Sequence, residues 1–236
     1  MGTSQEFKIL FDYMQKMHSR YLKTIAAFAI FDQLNNLAAP NKIGIGRAEN
    51  NVKIFNNFKY FFQAIKESVR CYFLIELAKF FDKHPKSLTI EKVITYAEEN
   101  LSKLTKKDFL NYHKRREFLP VKLKEYKKLS LSDLKKIKNK LNKNRTLTEN
   151  IKTYRDQYLA HSDVEQEEIK LNYRETRILL NIVKSILELL YSKLDFSVNS
   201  YINFEAQPTK ELNKLTEILI QYEQQRLVKI KEKWKI

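Results

Sequence analysis

Glycine is scarce in this chain, with residues only at Gly2, Gly44 and Gly46, and proline occurs only at Pro40, Pro85, Pro120 and Pro208. Hairpin-rich folds need such residues at frequent turns, so their scarcity argues against a β-rich architecture and for long helices joined by few connections. Cysteine occurs once, as Cys71 in the run C-Y-F-L-I. A lone thiol can close no intrachain disulfide and has no second thiol with which to hold a metal; a buried, reduced side chain is expected. No run approaches the ~18 apolar residues of a membrane span, and M-G-T-S-Q-E-F-K lacks the charged start and apolar stretch of a signal peptide. A cytoplasmic protein with no membrane partner is the expectation.

Several chemistries lack their residues. The histidines are His18, His84, His113 and His161, with no H-E-x-x-H and no C-x-x-C, so a zinc site of ordinary ligand spacing is not expected. There is no G-x-x-x-x-G-K-[ST] phosphate loop, no G-x-G-x-x-G and no G-x-S-x-G nucleophile elbow. The apolar neighbours of Cys71 would raise its pKa, which disfavours a thiolate nucleophile. No cofactor is expected.

What the sequence has in excess is positive charge, +16 in 236 residues, unevenly placed. From Lys103 to Arg145 sixteen Lys or Arg face only Asp108, Glu117, Glu125 and Asp133, a net +12. A cationic surface this dense attracts a polyanion, most often nucleic acid, and concentration in one segment is not what an AT-rich genome alone would produce. Lys114, Arg115 and Arg116 are the candidate RNA contacts. Phe109, Tyr112, Phe118 and Tyr126 lie in the same segment, so part of it must pack or stack.

Apolar spacing of three and four residues predicts helices over about 5–39 and 50–83, a break at A-P-N-K-I-G-I-G (39–46), and a stop before Pro85. A short helix near 90–101 can be capped by Ser87 or Thr89, and S-L-S-D at 130–133 opens another. Further helices are expected over about 148–160, 167–194 and, after an irregular stretch through Pro208, 209–234. With no internal repeat, one all-α domain over 1–236 is expected.

The stretch R-D-Q-Y-L-A-H-S-D (155–163) carries the strongest chemical signal. His161 follows Tyr158 by three residues near a helix end. Arg155 precedes His161 by six, about 600° of rotation on an ideal helix, which leaves the two some 120° apart yet able to meet at one groove. A helix C-terminus and Asp163 would both favour an imidazolium. The bland reading is that Arg155 pairs with Asp156 or Glu149 and His161 merely ends the helix. RNA carries its own nucleophile, the 2′-OH, so a proton-moving histidine and an arginine that stabilises the phosphorane suffice for cleavage without a metal.

The same stretch, with L-A-K-F-F-D at 77–82 and S-L-T-I at 87–90, resembles HEPN-domain proteins, and most closely the branch associated with phage abortive infection. The resemblance covers roughly 60–195, although nothing in 103–146 contributes to it. It implies an elaborated helical bundle with a core over about 50–195, a basic helical insertion at 103–146 and a C-terminal helix at 209–234. It further implies a homodimer in which two Arg–His pairs face one cleft, with metal-independent cleavage of RNA. The family roles fall on Arg155, His161 and, as the polar residue after the arginine, Asp156, while Asp163 supports the site through its charge; an antitoxin or nucleotidyltransferase is the implied protein partner. In HEPN toxins controlled by nucleotidylation of a tyrosine two residues after the histidine, that position is Tyr, whereas here it is Asp163, so that control is not implied. The alternatives are a non-catalytic nucleic-acid- or partner-binding module on the same scaffold, and a scaffold whose basic region binds an acidic antitoxin.

Overall fold

A computed structural model describes residues 3–84, 86–114, 126–160, 171–197 and 201–234. Among them there is no strand. The helices are α1 (Gln5–Leu37), α2 (Pro40–Ile43), α3 (Ile45–Asn57), α4 (Lys59–Lys79), α5 (Ile90–Glu99), α6 (Lys106–Tyr112), α7 (Leu131–Lys143), α8 (Arg145–Tyr154), α9 (Tyr173–Leu194) and α10 (Ile202–Trp234), and a π-helical turn over Arg155–Ala160 follows α8. The fold is all-α, as the scarcity of turn residues predicts. No described helix is long and apolar enough to cross a membrane.

Two compact units divide the chain: Met1–Leu22 with Leu74–Ser200, and Lys23–Phe73 with Tyr201–Ile236. In the first, the N-terminal part of α1 buries Phe7, Leu10, Met14, Met17 and Tyr21, and α9 buries Leu179, Val183, Ile186, Leu187 and Leu190, both at helical spacing. Ring contacts show what α1 meets: Phe11 with Tyr112 of α6 at 4.6 Å, Tyr13 with Tyr96 of α5 at 5.6 Å, and His18 with Tyr191 of α9 at 4.8 Å. In the second unit, Leu34, Ile54 and Phe62 form a buried cluster against which Ile30, Leu212 and Leu219 pack. Gln33 Nε2 donates to Asn213 Oδ1 at 2.6 Å, tying α1 to α10.

Helix starts follow the side chains that satisfy the first free amides. Thr89, not Ser87, caps α5, its hydroxyl accepting from the Lys92 amide at 3.2 Å. Ser130 and Asp133 form a capping box at α7, as do Thr105 with Asp108 at α6 and Asn172 with Glu175 at α9, each satisfying two backbone donors reciprocally.

Four expectations need correction. The helix expected over 50–83 is two helices, because Phe58 takes φ −118° and ψ 37° between them, and the second ends at Lys79. The break at 39–46 contains the one-turn α2, and the turn falls on Gly44, whose φ of +88° suits a residue without Cβ. Pro208 lies inside α10: it cannot donate to the Phe204 carbonyl, yet the helix runs through it near its start. Cys71 is half-buried instead of buried.

Of the aromatic residues in the lysine-rich segment, Phe109 and Tyr126 are core residues and Tyr112 is partly exposed beside Phe11, while Phe118 lies outside the described residues. Phe109 is fully buried and stacks on Tyr126 at 4.1 Å, and the Tyr126 hydroxyl donates to the Lys193 carbonyl at 3.0 Å. Burial pushes the Tyr126 phenol up to about 12, and burial followed by the Asp195 charge does the same for Tyr191. A phenol whose folded pKa lies above the unfolded value of about 10 contributes stability that is complete below that pH and lost as pH rises through the folded value. Thermal unfolding between pH 9 and 12 should show a falling midpoint over that window, less steeply in Tyr126→Phe. An identical slope in the variant would contradict the assignment.

Candidate active site

The site is built from the loop after α4 and the π turn after α8. Phe80 is fully buried, and its carbonyl accepts the Ile90 amide at 3.0 Å, which fixes the loop that presents Asp82. Asp82 Oδ1 accepts the backbone amides of Lys83 at 2.7 Å and His84 at 3.3 Å. Its other oxygen, Oδ2, faces Arg155 Nη1 at 3.1 Å, across 73 residues of sequence. Arg155 Nε donates to Asp156 Oδ1 at 2.6 Å. Arg155 is therefore held in a fork between two carboxylates, with 17% of its side chain exposed.

The electrostatics follow from that fork. Burial works to raise the Asp82 pKa, but the Arg155 charge and the two backbone amides outweigh it and hold the carboxyl below its ordinary value. The hydrogen bond that Arg155 donates to Asp156, against burial, raises the guanidinium pKa further.

Arg155 opens the π-helical turn, in which amides bond five residues back instead of four. The ideal-helix rotation between Arg155 and His161 therefore does not apply to this stretch. A π turn inside a helix is characteristically found at functional sites, and here it coincides with the R-D-Q-Y-L-A half of the motif.

Of the sequence-predicted residues, Arg155 and Asp156 are brought together. Lys114 is exposed. His161, Asp163, Arg115 and Arg116 lie outside the described residues. Glu149, offered as a partner for Arg155, instead pairs with Arg145 at 2.9 Å. His113, next to the K-R-R cluster, is buried: its Nε2 sits 2.9 Å from the Leu194 carbonyl and its ring packs on Phe109. It is a core residue. Sequence reasoning missed Asp82 as a site residue, although the final D of L-A-K-F-F-D was its signal. Among the described residues no group of three His, Cys, Asp or Glu side chains is placed to hold a metal ion.

Among the described residues the fold is all-helical, and the R-D-Q-Y-L-A turn follows α8 with its arginine fixed by an upstream aspartate, which is consistent with the HEPN resemblance of the motif. Residues 15–215 match the family model HEPN AbiU2, and the chain belongs to this abortive-infection family of HEPN-domain proteins. The match extends on both sides of the 60–195 region that the motifs alone cover, and its limits enclose the lysine-rich segment. No curated protein and no solved structure matches the chain.

Proposed function

We propose that this protein is a metal-independent endoribonuclease of phage defence, toxin action or stress response, working as a homodimer with Arg155 and His161 of each subunit at a shared cleft. The observation that carries this reading is the fork holding Arg155. A guanidinium fixed by Asp82 and Asp156 is preorganised, and a fixed cation aimed at developing phosphorane charge is worth far more than a mobile one. The 2′-OH attacks its own phosphate with its proton passing to water, and His161, in the imidazolium form that Asp163 favours, donates a proton to the 5′ oxygen as its bond to phosphorus breaks. RNA is the substrate, and an antitoxin or nucleotidyltransferase is the regulatory partner.

The protein is expected to sediment as a dimer at micromolar concentration and to leave 2′,3′-cyclic phosphate ends, since the 2′-OH attacks its own phosphate. A strict monomer that cuts RNA would refute the shared cleft, and linear 3′-phosphate ends formed without a cyclic intermediate would refute the chemistry.

The basic segment acts on affinity more than on sequence preference, because lysines meet phosphates as point charges. Alanine at Lys114, Arg115 and Arg116 should flatten the salt dependence of RNA binding by about 0.7 in log–log slope per lost single-strand contact. An unchanged slope would make the cluster solvated surface.

The second reading is a non-catalytic nucleic-acid- or partner-binding module on the HEPN scaffold. It is favoured by the same fork, since two carboxylates already balance the charge that a phosphorane would need.

A further inference from the structure

Beside the Arg155 fork, α5, α7 and α8 enclose a cleft of about 340 Å³. It lies wholly within the first compact unit. Its floor is apolar, with Phe80, Ile90 and Ile94 buried and Phe81 and Leu141 partly open. Lys83, Lys138, Arg145 and Lys152 line it against two carboxylates, Glu91 and Glu149.

Two of those cations are already balanced. Lys138 Nζ meets Glu98 Oε2 at 2.6 Å, and Arg145 meets Glu149 at 2.9 Å. Among the described residues, Lys83 and Lys152 make no such pair. Both line the same cleft, and burial first, then the Lys83 charge, lowers the Lys152 pKa, although Glu149, Asp82 and Glu91 pull the other way. Two ammonium groups that line one partly apolar cleft favour an anion between them. Such an arrangement is a signature of a binding site more than of a structural one.

Its position relative to the site is set by the chain. Lys83 follows Asp82 directly, and Lys152 lies one helical turn before Arg155. A ligand anion held by these two lysines is therefore adjacent to the group that Asp82 orients. The volume lies within the range of small-ligand pockets, and an apolar floor with a half-buried phenylalanine at its edge suits a flat base.

We propose that this cleft is a nucleotide subsite of the RNA path, taking one phosphate between Lys83 and Lys152 and the attached base against Phe81, Ile94 and Leu141. The proposal rests on the reading of the protein as an RNA-cutting enzyme, and it assigns a place for the strand next to the scissile bond.

The test is binding of a fluorescent single-stranded RNA whose 2′-hydroxyls are methylated, so that it cannot be cut, measured across salt concentrations. Lys83→Gln with Lys152→Gln should flatten the log–log slope by about 0.7 and weaken binding about fivefold at 0.1 M salt, the electrostatic part of one single-strand phosphate contact. Thr95→Trp, at an exposed position in the cleft wall, should weaken binding with the slope unchanged, because it blocks the floor without altering charge. The lysine variants should melt no lower than the wild type, since they remove a repulsion. Unchanged affinity and slope in the double variant would overturn the proposal, as would wild-type protein that fails to bind the RNA. Binding of a polyglutamate peptide, but not of RNA, that is lost in the double variant would also overturn it, in favour of an acidic protein partner. RNA binding that depends on both lysines in a protein that cuts no RNA would uphold the subsite while refuting the nuclease reading.

Discussion

Alanine at His161 is expected to lower RNA cleavage by about 10²–10⁴-fold, the usual cost of losing a proton-transfer group. Alanine at Arg155 should cost about 10²–10³-fold, as for other lost charge-stabilising donors. The fold should survive both changes. Arg155 sits at a junction, with its guanidinium on two carboxylates. Asp82 would still hold the Lys83 and His84 amides after the guanidinium is gone. A stability loss of about 1–2 kcal/mol is the expected cost of breaking that fork. The two readouts thus separate, with activity falling by orders of magnitude while the unfolding midpoint moves a few degrees. If Arg155→Ala unfolds the protein instead, the fork is a structural device and the non-catalytic reading gains.

Alanine at Phe80 should have the largest effect on stability, about 3–5 kcal/mol, as for other fully buried aromatic truncations. Phe80 has no exposed surface, and the Arg20 guanidinium lies 5.5 Å from its ring centroid. Arg20 in turn donates to the Leu88 carbonyl at 2.9 Å, so the ring sits under both ends of the loop from Phe80 to Ile90. Emptying that position should loosen the loop and release Asp82 from Arg155, so that residual activity falls along with stability. Denaturant unfolding of Phe80→Ala beside Phe80→Leu measures the effect. A loss below about 1 kcal/mol for alanine would mean that the loop does not depend on this ring.

The helical class, several helix boundaries and the motif were legible because each is written locally. Ser130 and Asp133 announce α7 by their spacing alone, and the stripe along α9 repeats at three and four residues. The divergences have physical reasons. Apolar spacing continues through Ile54, Phe58 and Phe61, yet a single residue at φ −118° suffices to separate two helices without disturbing that spacing. Pro208 reads as a stop, but α10 runs through it, at the loss of the bond its amide would make to the Phe204 carbonyl. The charge of 103–146 suggests an appendage, whereas Phe109, His113 and Tyr126 bury themselves against the end of α9. The Asp82–Arg155 contact spans 73 residues, and no local pattern encodes such a pairing. The π turn is equally silent, because R-D-Q-Y-L-A contains nothing that disfavours an ordinary helix.

The most direct test of the Arg155–His161 site is incubation of purified protein with total RNA in EDTA, wild type beside His161→Ala. The account predicts cleavage by the wild type, none by the variant, and protection of an RNA that carries a 2′-deoxy residue at the cut. Cleavage that persists in His161→Ala, or that disappears from the wild type when EDTA is added, would contradict it.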